Sequence, residues 1–143
     1  MPSTPPLEFA VASEMLSHLN IPLTSSLLSR IRNAAQAGTL TILRNGIDDP
    51  VGFVCWAGVN KDSVRIADKF NLLPSYPWEF KEGKIALLLY VFFIYPFNEE
   101  ARAAFTRFVS SRRAIYYVRK DRKRLMIRTS NGFRWCKPVE RTD

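Results

Sequence analysis

The feature that most constrains the fold is "IALLLYVFFIYPF", a run of thirteen largely apolar residues from Ile85 to Phe97. It is rich in aromatic residues and closes on a Pro-Phe pair. A helix that crosses a bilayer needs about twenty apolar residues, so this run is too short to span a membrane. A continuous apolar run of this length is typical of a central strand that is covered on both faces. We therefore expect a buried strand in a sheet with helices on both sides, and no membrane span.

The chain before this run alternates between helical and strand patterns. Apolar residues recur every fourth position from Leu7 to Leu19, which predicts an amphipathic helix. A second helix is predicted from Pro22, which suits a first helical turn, to a stop at Gly38. "TLTILR" and "VGFVCWAGV" predict two strands joined by the hairpin turn "NGIDDP". A short helix capped by Asn60 and a loop with two prolines, "NLLPSYPWEFKEGK", complete this part.

The chain after the run begins with a clearly marked helix, "NEEARAAFTRFVSSR". Asn98 is its predicted cap, and Glu99 and Glu100 stand in the first turn, where the helix dipole favours acidic groups. "AIYYVR" and "LMIRTS" predict strands joined by the charged turn "KDRKR", and "NGFRWC" predicts a last strand after an Asn-Gly turn. We expect a flexible N-terminal tail over residues 1–6 and one α+β domain over residues 7–143, a mixed β-sheet flanked by helices.

The formal charge of +8 is concentrated near the end of the chain. Ten Lys and Arg residues lie between Arg112 and Lys137, against the single acidic residue Asp121. A stretch of this density attracts an acidic partner, whether protein or nucleic acid.

Cysteine and histidine are scarce. Cys55 and Cys136 form no CxxC pair, and His18 is the one histidine, so the sequence predicts neither a disulfide framework nor a metal site. No charged segment followed by an apolar stretch marks a secretory signal, and we expect a reducing, cytoplasmic location. Cys55 and Trp56 lie in a predicted buried strand, where packing is their expected role.

Three motifs, in order, resemble the RTX toxin-activating lysine acyltransferases. They are "HLNIP" before the second helix, "RNGIDDPVGFVCWA" across the hairpin, and "FFIYPFNEE" between the central strand and the following helix. In the family a histidine precedes a Trp-Pro pair, then comes a strand similar to "PVAYCSWA", and then an Asp-Trp-Ile-Ala-Pro-Phe-Gly segment before a helix. The resemblance covers about residues 17–128. His18 matches the family's essential histidine and Pro22 its proline, with Ile21 in place of the tryptophan.

The resemblance implies a fold similar to the GNAT N-acyltransferases, usually as a homodimer, and a cytoplasmic enzyme. It implies fatty acylation: an acyl group would pass from acyl-acyl-carrier-protein, the co-substrate, to the amine of an internal lysine on a protoxin-like protein, with no further cofactor. His18 would be the general base or an acyl relay. Acyl carrier proteins are acidic, so Arg119, Lys120, Arg122, Lys123 and Arg124 would suit the docking of the donor.

Phe92 departs from the family pattern, because it stands where the family has its catalytic aspartate. Lysine must be neutral to attack a thioester, and histidine, with an ordinary pKa near 6.5, is the natural base. A carboxylate on the second ring nitrogen would orient the imidazole and stabilise its cation. With Phe92 in that position, the candidates to replace it are Tyr90, Tyr95 and Glu99, or backbone carbonyls.

Two other functions are open on the same residues. A protein that keeps the fold without catalysis would bind a partner's acidic surface, and Phe92 favours this hypothesis. A nucleic-acid-binding module would use the basic stretch and stack bases on the aromatic residues interleaved with it. These aromatic residues are Tyr116, Tyr117, Phe133 and Trp135.

Overall fold

The structure is a computed structural model that describes residues 7–70, 74, 77–94, 98–119, 122–129 and 132–136. For residues 68, 77, 118, 119, 122–129 and 132–136 it describes the backbone alone. The four helices are α1 (Leu7–His18), α2 (Ser25–Ala37), α3 (Lys61–Phe70) and α4 (Glu99–Ser110). The six strands are β1 (Leu40–Arg44), β2 (Pro50–Val59), β3 (Ile85–Phe93), β4 (Ala114–Arg119), β5 (Arg122–Thr129) and β6 (Gly132–Cys136).

The strands form one sheet in the order of the chain, β1 to β6. Every neighbouring pair is antiparallel except β3 and β4, which are parallel and connected by α4. The parallel ladder is short and runs from the pair Ile85–Ala114 to the pair Leu87–Tyr116. The predicted class, an α+β domain with a mixed sheet flanked by helices, is confirmed.

Capping residues define the helix ends largely as the sequence predicts. The side chains of Asn60 and Asn98 accept hydrogen bonds from backbone N–H groups three residues later, at 2.8 and 2.9 Å. Gly38 ends α2 with φ +80°, a left-handed conformation that glycine adopts without strain. The predicted start of α2 at Pro22 is wrong, because the Thr24 hydroxyl accepts from the Leu27 N–H and the helix begins at Ser25.

Three other boundaries differ from the predictions. The charged segment "KDRKR" is not all turn: β5 begins at Arg122, because Arg119 pairs with Arg122 and so closes the hairpin after two residues. Within the described residues of the predicted loop before the central strand, Pro77–Phe80 form a short 3₁₀ helix. The central strand β3 ends at Phe93, and residues 95–97 of the predicted run lie outside the described residues.

The sheet is packed on both faces, as the run Ile85–Phe97 predicts. On one face, called here the α1–α2 face, Phe53, Cys55 and Tyr116 belong to a buried core with the two N-terminal helices. On the opposite face, the α4 face, Val54 packs with Ala104 and Phe108 of α4. Alternate residues of β2 therefore enter two different cores. In the described part of the chain, no helix is both long and apolar enough to cross a membrane.

Candidate functional site

His18 is the last residue of α1 and its side chain is exposed. The helix ends in a Schellman motif, in which Asn20 takes the left-handed conformation at φ 57°. The N–H groups of Leu19, Asn20 and Ile21 bond the carbonyls of Met15, Ser17 and Leu16, respectively, at 3.0, 3.1 and 3.1 Å. These final carbonyls of α1 are thus satisfied by the backbone, and the His18 imidazole is not needed to cap them.

The His18 side chain lines an open groove of about 500 Å³ between α1 and the ends of β2 and β3. Met15 and the half-buried Val11 and Ile94 give this groove apolar walls. Pro50, the first residue of β2, closes one side. We call this feature the His18 groove. An apolar surface beside an exposed imidazole suits a ligand with both an alkyl part and a reactive polar part.

Glu14 also lines the His18 groove, and the sequence analysis missed it. It stands one helical turn before His18, at the i,i+4 spacing that brings side chains together on one face of a helix. The spacing Glu-x-x-x-His in "EMLSH" was the signal that could have found it. Glu14 is the one carboxylate among the described lining residues of the groove, and no hydrogen bond or ion pair joins it to His18 among the described residues.

Two of the predicted substitutes for the aspartate lie away from the described lining of this groove. The Tyr90 hydroxyl accepts a hydrogen bond from Arg30 Nη1 at 3.1 Å, which ties it to α2. Glu99 is exposed in the first turn of α4, the helix that covers the opposite face of the sheet. The structure therefore does not bring Tyr90 or Glu99 together with His18 in the groove lining. Tyr95, the third candidate, lies outside the described residues.

Phe92 fills its position with aromatic packing. It pairs in register with Phe53, and the two ring centroids lie 5.2 Å apart. Its ring also stacks on Tyr90 at 6.1 Å and packs against the core of the α1–α2 face. A carboxylate here would stand among aromatic rings, where an ionised group is poorly solvated. The position that matches the family's aspartate is therefore half-buried in this chain and packs against the core of the α1–α2 face.

Cys55 and Trp56 are packing residues, as the strand pattern predicts. Cys55 is fully buried, and burial raises the pKa of its thiol from 9.0 to about 12, against a smaller lowering by the charge of Arg30. A thiol with so high a pKa is a poor nucleophile at neutral pH. The Trp56 indole donates to Thr41 Oγ1 at 3.0 Å and lies edge-on to Phe108.

The predicted docking residues lie around the β4–β5 hairpin. Arg119 ends β4, and Arg122, Lys123 and Arg124 begin β5, where Arg119 pairs with Arg122. Lys120 lies outside the described residues, and the side chains of the other four are not described. β4 runs in the same direction as β3, and the two strands pair from Ile85–Ala114 to Leu87–Tyr116; no described residue of β4 or β5 lines the His18 groove.

The structure contradicts one part of the nucleic-acid hypothesis. Tyr116 is fully buried in the core of the α1–α2 face, so its ring cannot stack on a base. Tyr117, the next residue, is half-buried. Phe133 and Trp135 lie in β6, where the backbone alone is described.

The described residues contain no group of three or more metal-ligating side chains. The titratable side chains among the described lining residues of the His18 groove are the imidazole of His18 and the carboxylate of Glu14, beside apolar walls. In comparisons with known proteins, no family model matches the chain and no curated protein shows significant similarity to it.

Proposed function

We propose that the protein is an acyltransferase that moves a fatty acyl group from acyl-acyl-carrier-protein to a lysine amine of a protein substrate, with His18 as general base. The observation that supports this function is that the His18 imidazole is exposed in the groove and does not bond the last carbonyls of α1. Its side chain is exposed in the groove, while the carbonyls of Met15, Leu16 and Ser17 are already bonded by the backbone. The imidazole is therefore not used to bond these carbonyls, and at the end of α1 its cation also complements the helix dipole.

The reaction needs only groups that the groove can supply. The imidazole accepts a proton as the lysine nitrogen attacks the thioester carbonyl, the new C–N bond forms and the C–S bond breaks. The proton then passes to the departing thiolate, which restores neutral His18. Glu14, one turn away, would hold the imidazole and stabilise its cation, the part that the aspartate plays in the family that the sequence resembles.

The surroundings of the groove suit this donor. Val11, Met15 and Ile94 offer apolar surface for the alkyl chain. Arg119 and Arg122, which pair at the end of the β4–β5 hairpin, are basic residues that would attract an acidic carrier protein. A cytoplasmic location and a homodimer belong to the same proposal.

The test is acyl transfer measured by intact-protein mass spectrometry with purified acyl-acyl-carrier-protein. Wild type is expected to consume the donor, and His18→Ala to lose activity by about two to four orders of magnitude, the usual contribution of a general base. Glu14→Gln keeps the shape of the side chain and removes its charge, and is expected to reduce turnover by at least about tenfold. The matched control is Glu8→Gln, because Glu8 is an exposed carboxylate of the same helix that does not line the groove.

A protein that binds without catalysis is the second candidate, and the packing of Phe92 on Phe53 favours it. The same experiment separates the two functions. A folded wild-type protein that consumes no donor would support the binding function. Equal turnover in wild type and His18→Ala would instead show that the reaction does not use the imidazole.

A further inference from the structure

A second cavity, remote from His18, lies between the edge strand β1 and α4 on the other face of the sheet. Its volume is about 480 Å³. Its lining includes the backbone turn at Asn45 and Gly46 and three arginines, one from each of β1, α4 and the segment after α4. These are Arg44, Arg107 and Arg112, and we call the feature the arginine cavity.

Each of the three arginines is held in place by a contact of its own. Arg107 Nη2 donates to the backbone carbonyl of Arg44 at 2.6 Å, and Arg44 Nη1 donates to the carbonyl of Asp48 at 3.0 Å. The Arg112 guanidinium lies 4.8 Å from the centre of the Trp56 ring, and its Nε donates to Ser111. A guanidinium has five N–H donors, so these contacts leave most of them for a ligand.

The charges that line the cavity are unbalanced. Asp48 is the one acidic residue among the described lining residues. Its carboxylate is 4.0 Å from Arg44 Nε and its side chain is 88% exposed, so water screens the pair strongly. Three positive charges therefore face one weakly held negative charge. Water screens the repulsion among these partly exposed arginines, and the net positive charge that remains attracts an anion.

We propose that the arginine cavity binds a phosphate group, carried either by a small ligand or by a lipid headgroup. A phosphate monoester carries about two negative charges at neutral pH, which matches the excess of positive charge among the lining residues. Its oxygens accept paired hydrogen bonds from the planar guanidinium fork, a geometry that favours arginine at phosphate sites. The side chains are already held by the protein, so little rotamer entropy is lost when the ligand binds.

The test is calorimetric titration of the full chain with inorganic phosphate, at an ionic strength held constant with sodium chloride. Wild type is expected to bind saturably. Arg107→Gln removes an exposed guanidinium and Arg112→Lys keeps the charge but loses the fork, and each is expected to weaken binding at least about tenfold. Arg65→Gln is the matched control, because Arg65 is an exposed arginine on α3 outside the cavity, and it is expected to bind as wild type does.

Circular dichroism establishes that each variant is folded before its affinity is compared. The proposal is overturned if phosphate does not saturate wild type, or if Arg107→Gln and Arg65→Gln bind it equally well. Sedimentation with phosphatidylcholine vesicles that contain phosphatidic acid distinguishes the sources of the phosphate. Binding to these vesicles that inorganic phosphate displaces and Arg107→Gln weakens would identify a headgroup, whereas binding of inorganic phosphate alone would identify a small ligand.

Discussion

The two faces of the sheet differ in how completely they are covered. On the α1–α2 face the helices α1, α2 and α3 close a core in which Phe53, Phe80 and Ile31 are fully buried. On the α4 face one helix packs over the sheet, and Trp56 and Phe105 remain half-buried. Guanidinium groups lie beside aromatic rings on both faces, at the margin of the buried residues: Arg30 donates to Tyr90 on the α1–α2 face, and Arg112 lies over the Trp56 ring on the α4 face.

The greatest loss of stability is expected from removing a buried phenylalanine of the α1–α2 face, and a phenylalanine of the α4 face gives the comparison. Phe53→Ala removes a fully buried ring and is expected to lower the free energy of unfolding by about 3–5 kcal/mol. Phe105→Ala removes a ring that is already partly exposed, and is expected to lower it by about half as much or less. Urea unfolding followed by circular dichroism measures both. Equal losses would show that the α4 face is as closed as the other.

Phe92→Asp tests whether the family's aspartate position still serves the histidine. We expect a loss of stability of about 2–4 kcal/mol, because a carboxylate would enter the packing with Phe53 and Tyr90. Phe92→Leu is the matched control, since it stays apolar and is expected to cost about 1 kcal/mol. Denaturant unfolding and the acyl-transfer assay are run on both variants. A Phe92→Asp protein as stable as wild type with faster transfer would contradict the packing of this position against the core.

The buried thiol of Cys55 makes stability depend on pH, which tests whether the core of the α1–α2 face excludes water. Its thiol has a pKa of about 12 when folded and ionises near pH 9 when unfolded, because burial disfavours the thiolate. The stability due to the protonated thiol is therefore complete below pH 9 and is lost as the pH rises towards 12. Near pH 10 the loss is expected to be about 1–2 kcal/mol.

The measurement for Cys55 is the difference in unfolding free energy between wild type and Cys55→Val, taken at neutral pH and again near pH 10. Taking the difference removes the contribution of Cys136 and of the other titrating groups, because both proteins contain them. At the higher pH, the unfolding free energy of wild type is expected to fall relative to that of Cys55→Val. An unchanged difference would mean that water reaches the thiol.

Local signals explain why so much of the fold could be predicted from the sequence. Asn98 caps its helix by a hydrogen bond three residues away, and Gly38 ends its helix through its own φ angle. The apolar run that begins at Ile85 predicts a buried strand whichever strands lie beside it. The site was less accessible to this reasoning. Arg30 and Tyr90 are 60 residues apart in the sequence, and their hydrogen bond forms only in the folded chain.

The arginine cavity shows the same limit. Its arginines come from β1, α4 and the segment after it, and no short motif contains all three. The density of basic residues in the sequence pointed to residues 119–124. The arginine cavity, in contrast, forms from arginines that are far apart in the sequence and come together only in the fold. Glu14 was a different kind of omission, because its spacing from His18 is local and could have been read from the sequence.

The least change in stability is expected at Tyr90. The sequence suggests that Tyr90 orients His18, whereas in the structure its hydroxyl accepts a hydrogen bond from Arg30. Tyr90→Phe is expected to lower the unfolding free energy by about 1 kcal/mol, since it removes a half-buried hydrogen bond. Acyl transfer by this variant is expected to equal that of wild type. A double-mutant cycle with Arg30→Met measures whether the two side chains are coupled.

The two measurements on Tyr90 decide between its roles because they respond to different atoms. If the hydroxyl only joins β3 to α2, stability falls, coupling to Arg30 is found, and turnover at saturating donor is unchanged. If the hydroxyl orients the imidazole, turnover falls in Tyr90→Phe while Arg30→Met leaves it intact. The second result would make Tyr90, and not Glu14, the partner of His18, and a residue that packs against the core of the α1–α2 face would then take part in the reaction.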